Sequence, residues 1–155
     1  MLAEEKLIKT LKKNNYSLSI AESCTGGLLA NRLTNIPGSS VVFLLGIIAY
    51  SNSAKNKILK IPRKIIQNYG AVSLTTARLM SENARKLGNS SLGVGITGLA
   101  GPGGAAQDKP VGTVFIALSS KNKSLVNKFH FKGNRREIKR KTAQKALQML
   151  LEFIR

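Results

Sequence analysis

The sequence predicts an α/β fold of three layers, α/β/α, around a mixed β-sheet in a single domain spanning residues 1–155. Two observations predict it. Helix-period and strand-period segments alternate along the chain with no linker, repeat or low-complexity tract between them. The run Val41–Tyr50 is continuously apolar, the pattern of a strand covered on both faces by helices.

The elements follow in order. Leu2–Asn14 reads as an amphipathic helix, with Leu2, Ile8 and Leu11 roughly in register, and Ser17–Ala21 as a short strand. Gly26–Asn35 reads as a helix carrying Leu28, Leu29 and Leu33, and Pro37-Gly38-Ser39-Ser40 as a turn. After the apolar strand, Ser53 can cap a short helix running through Lys60. Pro62 opens the next helix and Gly70 closes it. Ser73 caps a helix over Leu74–Leu87, with Gly88 as its stop. Ser91–Thr97 is a strand, Gly98–Pro110 a Gly-rich loop, and Val111–Ser119 with Leu125–Phe131 a hairpin. Asn134 and Glu137 form a capping box that opens the last helix, to Phe153.

Composition narrows the chemistry. The net charge is +18, from 25 Lys and Arg against 7 Asp and Glu, and half of the excess lies in residues 121–155. Aromatic content is 5% with no Trp, too thin for base-stacking platforms, and the lysines are spread through the chain. Nucleic-acid binding is therefore disfavoured as the primary function, although the field can draw in a small phosphorylated substrate. One His (His130) and one Cys (Cys24) cannot supply the ligands of a structural zinc site. No metal or organic cofactor is expected. The single Cys excludes an internal disulfide and fits a reducing cytoplasm. No targeting signal opens the sequence, and Val41–Tyr50 is too short to span a bilayer as a helix, which takes roughly 20 residues.

Three clusters can carry chemistry. Glu22-Ser23-Cys24-Thr25-Gly26-Gly27 joins a strand end to a helix start, where α/β folds gather ligands. Its hydroxyls and glycines suit either an anion site or a plain helix cap at Ser23 or Thr25. Cys24 is a weaker nucleophile candidate and a better small core residue. Tyr50-Ser51-Asn52-Ser53-Ala54-Lys55 follows the long strand. A serine nucleophile needs a base, and with one histidine in the chain a neutral lysine is the substitute. Lys55 in a first helical turn, among Lys57, Lys60 and Lys64, is pushed toward neutrality; the competing reading is a surface lysine. The third cluster runs from Thr97 and Gly98 through Gly101, Pro102, Gly103 and Gly104 to Lys109-Pro110-Val111-Gly112-Thr113, a shaped loop that lets a ligand approach backbone. Gly93, Gly95 and Gly98 match G-x-G-x-x-G but lie inside a strand with no helix after them, so close strand packing is the better account.

Taken together and in order, Glu22–Gly27, Pro37–Ser40, Tyr50–Lys55, Gly70-Ala71-Val72-Ser73, Gly98–Gly104 and Lys109–Thr113 resemble the CinA C-terminal-domain family over residues 3–152. Characterised members are nicotinamide-nucleotide amidases. The resemblance implies hydrolysis of the carboxamide of nicotinamide mononucleotide to nicotinate mononucleotide and ammonia by a serine/lysine amidohydrolase. It carries Ser23 over as nucleophile, Lys55 as base and Tyr50 as supporting hydroxyl. Thr25, Gly26, Gly27, Thr97, Gly98, Gly101, Gly103 and Arg135 are the expected substrate-binding positions. Two departures stand out: Ala105 and Ala106 replace a Gly and a small polar residue, and Asn134 replaces the Asp of a Gly-Asp-Arg. The rival reading is a nucleotide-binding module without catalysis, or a partner domain in DNA uptake. A homodimer is the expected assembly.

Overall fold

The computed structural model describes residues 1–105 and 108–155, so the departure at Ala106 lies outside the described residues. Five strands form one sheet: β1 (Leu18–Glu22), β2 (Phe43–Ile48), β3 (Leu92–Gly98), β4 (Thr113–Ser119) and β5 (Ser124–His130). Their spatial order is β2-β1-β3-β4-β5. β1 runs parallel to both β2 and β3, whereas β4 and β5 are antiparallel additions, so the sheet is mixed.

Helices cover both faces. On one lie α1 (Ala3–Lys13), α2 (Leu28–Thr34) and α6 (Arg135–Phe153), whose Leu7, Leu11, Leu29, Leu33, Leu147 and Leu150 bury against Ile20, Val94, Ile116 and Leu118. On the other lie α3 (Asn52–Lys57), α4 (Arg63–Tyr69) and α5 (Leu74–Leu87). There Met80 and Ala84 pack with Ala21, Ala49, Leu59 and Ile61. This is the three-layer α/β arrangement that the sequence predicts. Among the described residues no helix is long and apolar enough to cross a membrane.

Local signals explain most boundaries. Ser73 Oγ accepts the Thr76 N–H at 3.1 Å and opens α5 where expected. Asn134 and Glu137 make the reciprocal capping box of α6. Gly93 and Gly95 do serve packing: a Cβ on Gly95 would stand 2.3 Å from the Ala77 carbonyl of α5, and one on Gly93 2.2 Å from that of Ser81.

Three expectations are corrected. The short helix after β2 is capped by Ser51, whose Oγ accepts the Ala54 N–H at 3.0 Å, rather than by Ser53, and it ends at Lys57. α2 starts at Leu28 and not at Gly26, because Gly26 (φ 60°) and Gly27 (φ 95°) are left-handed. Finally, β2 is not covered on both faces. It lies at the sheet edge, its residues alternate between half-buried and exposed, and Leu44 and Ile48 are 49% and 54% exposed.

The register sets the site. Ala21 of β1 aligns with Ile47 of β2 and with Gly95 of β3. The three parallel strands therefore finish together, and the segments leaving them, from Ser23, Ala49 and Gly98, meet at one end of the sheet.

Candidate active site

At that end Lys55 is the largest fully buried side chain, 2% exposed, and Ser23 is buried beside it. The Lys55 Nζ lies 2.9 Å from Ser23 Oγ, 2.9 Å from the Ala49 carbonyl oxygen and 3.3 Å from the Tyr50 carbonyl oxygen. Carbonyl oxygens only accept, so two Nζ hydrogens are committed to the backbone. In the neutral amine the remaining lone pair is left for the Ser23 hydroxyl proton. Burial lowers the Lys55 pKa from its ordinary 10.5. The opposing pull of a Cys24 thiolate is idle near neutrality, because burial pushes that thiol up to about 12. Lys55 is thus no surface lysine, and Cys24 behaves as a small core residue.

The physical cause differs in part from the sequence reading. Lys55 is the fourth residue of a six-residue helix, beyond the reach of a strong N-terminal dipole. Desolvation carries the shift.

A cleft of about 220 Å³ opens over the pair, lined by Ser23, Tyr50, Lys55, Thr97, Gly98, Gly101, Gly103 and Arg135 among others. Arg135, from the first turn of α6, donates to the Gly101 carbonyl at 2.6 Å and to the Tyr50 hydroxyl at 2.9 Å. It ties the β2 exit, the Gly-rich loop and α6 together. The Tyr50 hydroxyl therefore bonds Arg135 at the mouth, and only the Tyr50 carbonyl touches Lys55. Thr97 is buried with its hydroxyl donated to the Ala71 carbonyl at 2.8 Å. Gly98 packs against β4, where a Cβ would lie 2.8 Å from Val114, whereas Gly103 has nothing within 4 Å of such a Cβ.

Residues 2–154 match the model of the CinA C-terminal domain. The chain belongs to this family. It is 44% identical over 151 residues to a putative competence-damage inducible protein of Thermoanaerobacter pseudethanolicus, covering 97% of this chain and 37% of that relative. It is 48% identical over 145 residues to a CinA-like protein of Syntrophus aciditrophicus, covering 93% and 34%. The chain thus spans little more than a third of the length of the curated relatives it matches. Among solved structures, the competence/damage inducible protein CihA of Agrobacterium tumefaciens superposes with a TM-score of 0.96 at 36% identity, covering 99% of this chain and 94% of that one. A CinA superfamily protein of Escherichia coli gives a TM-score of 0.94 at 30% identity, covering 97% and 88%.

In this CinA domain Thr25, Gly26 and Gly27 are not among the residues that line the cleft, although Ser23 and Cys24 just before them are. Thr25 is fully buried and its hydroxyl has no partner among the described residues. The Gly26 N–H is taken by the Ser23 carbonyl at 3.0 Å, while those of Thr25 and Gly27 meet no backbone acceptor among the described residues.

Two residues escaped the sequence reading. Glu22 is buried, and its carboxylate accepts the N–H groups of Leu29 at 2.9 Å and Ala30 at 3.1 Å. It caps α2 from the end of β1, a role open to neither Ser23 nor Thr25 in this geometry, and so fixes the turn that carries Ser23. Lys139 of α6 stands over the same turn, its Nζ 3.6 Å from where a Cβ on Gly26 would be. It follows Arg135 by one helical turn, the only sequence signal available for it.

Proposed function

We propose that this CinA domain is a serine/lysine amidohydrolase that converts nicotinamide mononucleotide to nicotinate mononucleotide and ammonia. The buried Lys55–Ser23 contact of 2.9 Å carries the reading. A lysine with a lowered pKa, aimed at one buried hydroxyl, is the constellation that serine nucleophiles need when histidine is absent. Family membership supports the choice of substrate.

Neutral Lys55 takes the Ser23 proton as Oγ bonds to the carboxamide carbon. The oxyanion that forms takes hydrogen bonds from free N–H groups of the turn after Ser23. Donors of this type contribute about 2.7–4 kcal/mol each. The C–N bond then breaks, and the proton held by Lys55 returns to the leaving nitrogen, so that ammonia departs. Water adds to the acyl-serine, Lys55 takes its proton, and release of Oγ regenerates the enzyme and yields the carboxylate. Arg135, which lines the cleft, is our candidate cation for the substrate phosphate, with the Gly98–Gly104 backbone along the ribose.

The test is ammonia release from nicotinamide mononucleotide, run beside binding of the same nucleotide by calorimetry. Ser23→Ala is expected to abolish release and to keep binding. Wild-type turnover in Ser23→Ala removes the nucleophile. Binding by the wild type with no release favours a module that holds a pyridine nucleotide without hydrolysing it.

A further inference from the structure

We propose that the groove between α2 and α6 is a second binding site, for a nucleoside polyphosphate, separate from the catalytic cleft. The groove has a volume of about 610 Å³ and shares no lining residue with the cleft. Small-molecule sites usually measure roughly 300–1,000 Å³, so it is large enough for such a ligand. Arg140, Lys141 and Lys145 of α6 line it, together with Arg32 of α2.

Part of the wall is fixed by its own bonds. Arg32 donates from Nε and Nη2 to the two carboxylate oxygens of Glu4, at 3.1 and 2.7 Å, and from Nη2 to the Gln144 side-chain oxygen at 2.8 Å. The Arg32 charge is therefore answered by Glu4. Gln144, its oxygen taken, keeps its amide N–H groups as donors. The three α6 cations have no such answer. Among the described residues the ion pairs are Arg32–Glu4 and Arg78–Glu82, and neither involves them. Lys141 donates to the Lys132 carbonyl, and the Lys145 Nζ lies 5.4 Å from the Phe129 ring centre. These contacts hold the two side chains in place and leave their charge unneutralised.

Charge and shape select the ligand. Arg140, Lys141 and Lys145 stand on neighbouring turns of one helix, and Lys141 and Lys145, four residues apart, repel each other. A ligand with three or four negative charges relieves this repulsion, whereas a monoanion leaves most of it. Nicotinamide mononucleotide suits the groove poorly, because its pyridinium ring is itself positive. The groove also has an apolar part, Leu28 and Phe131. Phe131 stacks on Phe129 with ring centres 5.6 Å apart, and it is the one aromatic ring lining the groove. One ring gives one stacking position, which suits a single base rather than a strand of many. The Gln144 amide supplies a hydrogen-bond donor in the same groove.

Calorimetric titration in magnesium-free buffer with adenosine triphosphate, adenosine monophosphate and inorganic triphosphate tests this. Arg140→Glu and Lys145→Glu probe the groove. Lys86→Glu on α5, on the other face of the sheet, makes the same change of charge elsewhere, and Arg135→Ala alters the catalytic cleft. Circular dichroism confirms which variants are folded. The wild type is expected to bind adenosine triphosphate more tightly than either other ligand, and less tightly as salt rises. Arg140→Glu and Lys145→Glu are each expected to weaken that binding about tenfold or more, the worth of one charge-assisted hydrogen bond. Lys86→Glu and Arg135→Ala are expected to change it less than about threefold, since screening confines each charge to its surroundings. A wild type that does not bind adenosine triphosphate overturns the proposal. So does inorganic triphosphate binding equally well, which leaves the ring without a role. An equal loss in Lys86→Glu or in Arg135→Ala also overturns it, by placing the ligand in the general field of the molecule or in the catalytic cleft.

Discussion

Lys55 shows how a single side chain ties stability to chemistry. Its pKa is lowered in the fold by burial and returns to its ordinary 10.5 when the chain unfolds. Between the lowered value and 10.5 the unfolded state binds more protons than the folded one, so folding gains with rising pH, by up to about 1.4 kcal/mol per unit. Lys55→Met has no such group. Denaturant unfolding across pH is therefore expected to show the wild type gaining on Lys55→Met through this window and levelling off above it. Parallel curves would mean that Lys55 is charged in the fold. The sequence exposed this residue only through its spacing from Tyr50 and through the shortage of other bases. It could not reveal the burial that tunes the group, because the carbonyls of Ala49 and Tyr50 that hold it are placed by the turn leaving β2. Glu22 was illegible for the same reason: its partners, Leu29 and Ala30, lie beyond a turn whose path two left-handed glycines decide.

Elements were legible wherever their signals are local. The Ser73 cap, the Asn134–Glu137 box and the β4–β5 turn each close within four residues, and each falls where the sequence puts it. What no window of sequence contains is the order of strands. An apolar run suits a central parallel strand and an edge strand alike, and β2 is the second kind. The packing of α5 on β3 is more readable, since it needs glycine at positions 93 and 95. Gly95→Ala would drive a Cβ to 2.3 Å from the Ala77 carbonyl and 2.6 Å from the Ser81 nitrogen. Backbone cannot yield as a side-chain tip does, so a loss of about 1–3 kcal/mol is expected, read as a lower denaturant midpoint. Gly103→Ala meets nothing within 4 Å and is expected to keep the stability within about 0.5 kcal/mol of wild type, with the midpoint little moved. Equal midpoints for the two variants would contradict the close-packing account of the strand glycines.

The whole molecule carries a large positive charge with little to offset it. Among the described residues the ion pairs are Arg32–Glu4 at 2.7 Å and Arg78–Glu82 at 3.9 Å. Self-repulsion opposes the compact state, and salt screens it over about 10 Å at 0.1 M. The melting temperature is therefore expected to rise as sodium chloride is added, and a fall would mean that attractive pairs dominate. The catalytic account depends on a narrower point, namely that Lys55 works as a neutral base and not as a fixed cation. Arginine keeps the charge and much of the length of lysine but cannot lose its proton near neutrality. The most direct test is kcat for ammonia release from nicotinamide mononucleotide, measured across pH for the wild type and Lys55→Arg. The account predicts that the wild-type rate rises with pH through an apparent pKa below 10.5. It predicts that Lys55→Arg is inactive at every pH. An arginine variant that turns over at the wild-type rate with a raised KM would contradict it and make Lys55 a substrate-binding cation.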